Sequence, residues 1–247
     1  MSLTGDPNGM PQKVGVPIAD LFAGLYGCIG VLAALRHKER TGQGQHVDIG
    51  MLDTHVAWLA NQGMNYLAKG ENPPRLGNQH PNIVPYQVFA TSDGFMVLSI
   101  GNDPTFARFC REFGLERLLD DDRFKTNAAR VENRGAVTET LASIIKLRDT
   151  NWWIQKLEEL KIGCSPINTL AEVFTDPHVI ARGNFVEMTH RSGAKMTLIA
   201  NPVRLSETPA EYRSAPPTLG EHTDEVLHRW VKLDVCSRDQ LRDLGII

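Results

Sequence analysis

One carboxylate stands out by its surroundings. In VGVPIADLFAGLYGCIGVLAAL, Val14 to Leu35, Asp20 is the only formally charged side chain among small and apolar neighbours. An ionised, partly desolvated carboxylate can attack an activated acyl group and hold it covalently. The same residue type also suits the head of a helix, where Asp accepts hydrogen bonds from the unpaired amides of the first turn and the helix end favours negative charge. Both roles fit the pattern, and one residue can fill both. Ala23, Gly24, Gly27, Cys28 and Gly30 are small enough to let a second backbone or a ligand come close.

Other chemistries find little support. GQG at 42–44 follows a helical pattern and precedes a strand-like one, the reverse of the order in a dinucleotide loop, and the third glycine is missing. No H-x-x-x-H pair occurs among the eight histidines, and Cys28, Cys110, Cys164 and Cys236 form no C-x-x-C pair, so no metal site and no disulfide framework is expected. A G-x-S-x-G elbow is lacking. The net charge of -3 and the scattered basic residues argue against nucleic-acid binding. The first residues carry no basic stretch followed by an apolar one, so no signal peptide is expected, and a cytoplasmic protein (mitochondrial if eukaryotic) is the reading. From Leu21 to Leu35 the apolar run is 15 residues, short of the roughly 20 that span a bilayer, which predicts a buried helix and no membrane contact.

The elements that would position Asp20 follow from period and punctuation. A helix is expected from Asp20 to about Arg40, closed by basic residues and TGQG, then a short strand at HVDIGM and a second helix over Leu52–Lys69. GENPPRLGNQHPN, 70–82, carries three prolines and two glycines and reads as a loop or hinge. YQVFAT and FMVLSIG flank Ser-Asp-Gly as a hairpin, and the next helix is expected to start with Asp103 as cap and Pro104 in its first turn. Helices near Arg134–Lys146 and Thr150–Lys161, a strand at GCSPIN, a short helix at Leu170–Phe174, a hairpin turning at Ser192 and Gly193, and helices after PPTLGEHT and after Ser237 complete an α/β chain. Trp152 and Trp153 read as packing residues, and the acidic run at 120–122 as a solvated loop.

IADLFAGLYGCIGVLAALRHKERTGQGQHVDIGMLD, RLGNQHPNIVPYQVFATSDGFMVLSIGND and PPTLGEHTDEVL, in this order, resemble the family III CoA-transferases, also called the CaiB/BaiF family. The resemblance implies that Asp20 is the catalytic nucleophile and that Gly77, Asn78, Gln79 and His80 belong to an active-site loop that closes over it. An ordinary hinge is the alternative reading of that loop. It implies acyl-CoA and carboxylic acid substrates, coenzyme A as substrate rather than a resident cofactor, no metal, and an interlocked homodimer. It also implies residues 1–70 as part of a large CoA-binding domain, 71–82 as hinge and loop, 83–205 as a small α/β domain and 206–247 as a C-terminal return segment. Family members start with a long Rossmann-like region that has no counterpart here, so the chain is expected to be a C-terminal part, and a non-catalytic folding or assembly unit is one alternative. The other is the racemase branch, which moves an α-proton and places a glutamate where this chain reads Asn102 and Asp103, making Asp103 a second acidic candidate.

Overall fold

The computed structural model describes all 247 residues and divides into two compact units, Met1–Ile167 and Asn168–Ile247. The first unit opens with the helix α1 (Ile18–Thr41), followed by α2 (Met51–Ala57) and α3 (Ala60–Lys69). Then come β1 (Tyr86–Ala90), β2 (Phe95–Ser99), α4 (Asp103–Glu112), α5 (Arg117–Asp120), α6 (Asn127–Glu132), α7 (Arg134–Ile145), α8 (Thr150–Glu159) and β3 (Gly163–Pro166). The second unit holds α9 (Leu170–Thr175), α10 (Pro177–Ala181), the hairpin β4 (Phe185–Thr189) and β5 (Lys195–Ile199), α11 (Thr223–Arg229) and α12 (Val235–Asp243).

The core belongs to the middle of the chain. Strands β1, β2 and β3 form an antiparallel sheet in that order, with Tyr86 opposite Ser99 and Leu98 opposite Cys164. Alternation along β2 turns Met96 and Leu98 inward. They meet Phe106 and Phe109 of α4, Val137, Leu141 and Ile145 of α7, and Trp153 and Leu157 of α8. Trp153 satisfies its buried indole N–H on the Ile145 carbonyl at 2.7 Å. The hairpin turn is pinned to α8, where Asp93 accepts from the Thr150 amide at 2.9 Å.

A charge lies inside this core. Arg130, on α6, is fully buried. Its Nε donates to the Val84 carbonyl at 2.7 Å, Nη1 to the Phe124 carbonyl at 2.9 Å and Nη2 to Asp103 Oδ1 at 2.8 Å. The Phe106 ring lies under the guanidinium at 4.3 Å. A buried cation survives only when its donors are paired, and here each of the three nitrogens has an acceptor.

Five local expectations are corrected, the burial of the first helix among them. The first helix begins at Ile18 with Pro17 as its cap residue, so Asp20 sits inside the first turn and is not the N-cap. That helix is 24 residues long and none of its residues is buried within this chain. It is long and apolar enough to cross a membrane, a property shared by core helices of globular proteins. HVDIGM forms no strand; it has no ladder partner, and Val47 instead lies so close to Gly30 that a Cβ there would meet it at 2.9 Å. The helix expected over 52–69 breaks at Trp58 and Leu59, with Ala60 at a left-handed φ of 47°, and Trp58 lies flat on Phe22 of α1 at 3.4 Å between ring centres. Finally, Asn102 and not Asp103 caps α4, accepting from the Thr105 amide at 2.9 Å, while the Asp103 carboxylate is drawn to Arg130.

In the second unit β4 and β5 are held at their turn by His190. Its Nδ1 accepts from the Ser192 amide at 3.1 Å, so the ring proton sits on Nε2 and faces Glu221 Oε2 at 2.9 Å. Glu221 also accepts from the Thr218 amide at 2.8 Å and pairs with Arg191 at 2.6 Å. The glutamate of LGEHT is thereby a structural tie. The hydrogen bond from His190, then the Thr218 amide and Arg191, bring its carboxyl from 4.5 down to about 2.

Two outcomes follow for stability. Arg130→Leu leaves two buried carbonyls without donors and lowers unfolding stability in urea by about 3–5 kcal/mol, while Asp103→Asn, at a half-exposed carboxylate, costs about 1 kcal/mol or less; equal losses would contradict the account. Because the folded-state carboxyl of Glu221 titrates low, its contribution is complete above 4.5 and disappears as pH falls toward 2. Thermal melts of Glu221→Gln are expected to fall below those of the unchanged chain at pH 7, and the gap to close across that acid range.

Candidate active site

Asp20 is exposed in the first turn of α1 and hydrogen-bonds to no side chain. Its helix start is set by Pro17, whose carbonyl accepts from the Leu21 amide at 3.1 Å. Proline at this point supplies the fixed φ that helix entry uses. A cleft of about 620 Å³ opens beside it, walled by Thr4, Gln12, Val14–Ala19, Phe22, His55 and Trp58. Ala19 and Phe22 face this cleft; Asp20, one residue on and about 100° around the helix, stands at its edge and is not part of the wall. The carboxylate is therefore reachable, and the positive end of the α1 dipole lies beneath it.

The loop Gly77–His80 is rooted on the same N-terminal segment that walls this cleft. Gly77, at a φ of 58° that suits glycine, donates its amide to the Gly5 carbonyl at 3.1 Å. Arg75 donates to the carbonyls of Asp6 at 3.1 Å and Gly9 at 2.6 Å. Thr4, the neighbour of Gly5, is in the cleft wall and accepts from Gln12 at 2.9 Å. The segment thus shares the cleft wall with the head of α1 and is hydrogen-bonded to the loop. Asn78 is exposed, and the Gln79 amide closes a turn on Leu76 at 3.0 Å.

The far end of the loop is clamped. Arg134 of α7 donates to the carbonyls of His80 and Pro81, both at 2.9 Å. The His80 ring stacks on Tyr86 of β1 at 5.2 Å, and its amide donates to the Tyr86 carbonyl at 2.8 Å. Burial, then the nearby Arg134 charge, push the His80 imidazole below its ordinary value, favouring the neutral ring. Asn82 exchanges side-chain hydrogen bonds with Asn65 of α3 at 3.1 and 3.2 Å, and its carbonyl accepts from Asn127 of α6 at 2.8 Å.

Asp103 does not join this group. Its half-exposed carboxylate is the counter-ion of the buried Arg130. The buried Cys110 thiol is pushed up to about 12, mainly by desolvation, and is no nucleophile at neutral pH. No cluster of three His, Cys, Asp or Glu side chains is placed to hold a metal. The residues that the sequence did not mark are Arg134, Tyr86, Asn65, Asn82 and Asn127. Asn82 lies 17 residues from Asn65 and 45 from Asn127, and no local pattern announces such pairings.

Comparison with known proteins places this chain in a family. The family model described as CoA-transferase family III matches residues 1–223. A succinate–glutarate CoA-transferase of Agrobacterium fabrum is 42% identical over 92% of this chain and 57% of its own length. The human succinyl-CoA:glutarate CoA-transferase is 34% identical over 100% of this chain and 56% of its own. A CaiB/BaiF family protein of Brucella suis, known from its crystal structure, superposes with a TM-score of 0.72 at 40% identity, covering 95% of this chain and 60% of that one. The chain thus spans little more than half the length of the relatives it matches. With an apolar helix headed by a free carboxylate and a clamped loop rooted beside it, this chain belongs to CoA-transferase family III.

Proposed function

We propose that the protein carrying this chain transfers coenzyme A between carboxylic acids, with Asp20 as the covalent nucleophile. The observation that carries this reading is the unpartnered, exposed carboxylate in the first turn of α1, in a chain whose family match runs from residue 1 to 223. One Asp20 oxygen attacks the thioester carbonyl, the C–S bond breaks, and a mixed anhydride forms with release of CoA thiolate. The thiolate then attacks the Asp20 carbonyl, giving an aspartyl-CoA thioester and freeing the first acid. The second acid repeats the sequence in reverse. Each step exchanges one activated acyl bond for another, so no activation is surrendered to water provided water is kept away.

Loop 77–80 is the element proposed to exclude it. Its root on Gly5 and its clamp at His80 and Pro81 leave Asn78 and Gln79 as the span with fewest ties. Dicarboxylates such as succinate and glutarate are the proposed substrates, since relatives act on them by name. The engagement of Asp103 by Arg130 disfavours the racemase alternative, which needs a free second acid there. The same reading includes a homodimer, supported by the unburied apolar face of α1, coenzyme A as a passing substrate, and a cytoplasmic or mitochondrial setting.

The reading is tested with the full-length protein and succinyl-CoA plus glutarate. Asp20→Ala and Asp20→Asn are each expected to reduce transfer by at least about a thousandfold, and hydroxylamine to inactivate the unchanged protein only after exposure to acyl-CoA. Full transfer in Asp20→Ala would refute the assignment.

A further inference from the structure

A cavity of about 260 Å³ lies between α3, the segment 71–82 and the start of α7, and shares no wall residue with the cleft beside Asp20. Arg134, the first residue of α7, is part of its wall and half-buried. It gives one donor each to the carbonyls of His80 and Pro81 and has no carboxylate partner. Its Nε–H finds no acceptor in the chain, yet is not sealed from solvent. Burial pushes this guanidinium below its ordinary value, the mark of a cation short of negative charge nearby. Lys69, at the end of α3, lines the same cavity and enters no ion pair. Gln62, on the same helix, accepts from Asn65 on Oε1 at 3.1 Å and leaves its amide N–H groups unspent. Glu71 is the one acid in the wall and pairs with neither cation, so the wall carries one net positive charge. Pro73, Pro74, Leu76 and Val131 make an apolar side to it.

We propose that this cavity binds a short aliphatic monocarboxylate, its head held by Arg134, Lys69 and Gln62 and its carbon chain laid against Pro73, Pro74, Leu76 and Val131. The inference stands on this geometry and not on the reading of Asp20 as nucleophile. Hydrogen bonds from cations to a carboxylate are about twice as strong as neutral ones, and an anion beside a half-buried guanidinium offsets the cost of its desolvation. One net positive charge in the wall matches one carboxylate; a dianion such as phosphate or succinate leaves a charge uncompensated. The volume is below the roughly 300–1,000 Å³ of pockets for drug-sized ligands, which limits the occupant to a few carbons. Bound there, the acid bridges α3 and α7, the helices that already hold Asn82 through Asn65, and His80 and Pro81 through Arg134. Occupancy of the cavity therefore stiffens this end of the loop.

The test is the rate at which an acetylating reagent modifies Lys69 in the full-length protein, read by peptide mass spectrometry against the exposed Lys161. Butyrate, the probe, is expected to slow acetylation of Lys69 saturably and to leave Lys161 unaffected, while phosphate, succinate and chloride at equal ionic strength protect Lys69 far less. Glu71→Gln, an exposed position whose change removes the one opposing charge, is expected to lower the half-protecting butyrate concentration about threefold. Arg134→Gln is expected to raise it at least about tenfold, with a melting curve to establish that the variant is folded. Protection is expected to be the same in Asp20→Ala, which separates this cavity from any acid bound at the nucleophile. Lys69 modified at an unchanged rate, equal protection by phosphate, protection that vanishes in Asp20→Ala, or an unchanged half-protecting concentration in Glu71→Gln overturns the proposal. The Glu71 comparison decides the matter even where Arg134→Gln does not fold.

Discussion

The first unit is organised around a guanidinium that has no access to water. Arg130 is tolerable in the core only while Val84, Phe124 and Asp103 all turn an oxygen toward it. Those three residues come from the end of the proline-rich loop, the turn after α5 and the first turn of α4. Satisfying one side chain therefore fixes the entry to β1, the approach to α6 and the start of α4 together. The constraint reaches the candidate site because Val84 lies two residues beyond Asn82, which is itself anchored through Asn127 and Asn65. The loop that carries His80 is thereby tied at one end to the best-packed part of the molecule.

The other end of the site has a different character. Helix α1 is apolar along most of its length and buries none of its residues in this chain, and its packing here includes the Phe22–Trp58 stack and the approach of Val47 and Ile49 to Gly30. Leu21, Leu25, Ile29 and Leu32 all remain open to solvent. A surface of this kind is stable when covered. What holds Asp20 in place is thus the geometry of the helix start at Pro17, whereas what holds His80 is a network of guanidinium, amide and ring contacts.

Much of the middle of the chain was legible in the sequence because its signals are local. Alternating apolar residues around Ser-Asp-Gly, and the 3.6-residue period of α7 and α8, each specify an element without reference to distant partners. Legibility failed wherever a distant partner decided. HVDIGM has strand composition but no neighbour to pair with. Asp103 has the residue type of a cap, yet the pull of Arg130, 27 positions away, left the cap to Asn102. The small helices α5, α6 and α10 carry too few turns to show a period. In the site, Asp20 was legible as an isolated charge in an apolar run, and the loop as a proline-rich break. The roles of Arg134, Asn65 and Asn82 arise from contacts that only the folded chain brings together.

The proposed reaction has Asp20 exchanging its own oxygens. When the aspartyl-CoA thioester is resolved by the second acid, the bridging oxygen of that anhydride comes from the incoming acid and stays on the aspartate as the new thioester departs. Turnover of the full-length protein with an acceptor acid carrying heavy oxygen in its carboxylate, followed by mass spectrometry of the peptide spanning Ile18 to Lys38, is the most direct test. The account predicts heavy oxygen in the Asp20 side chain after turnover. Product formation with Asp20 left unlabelled would contradict it.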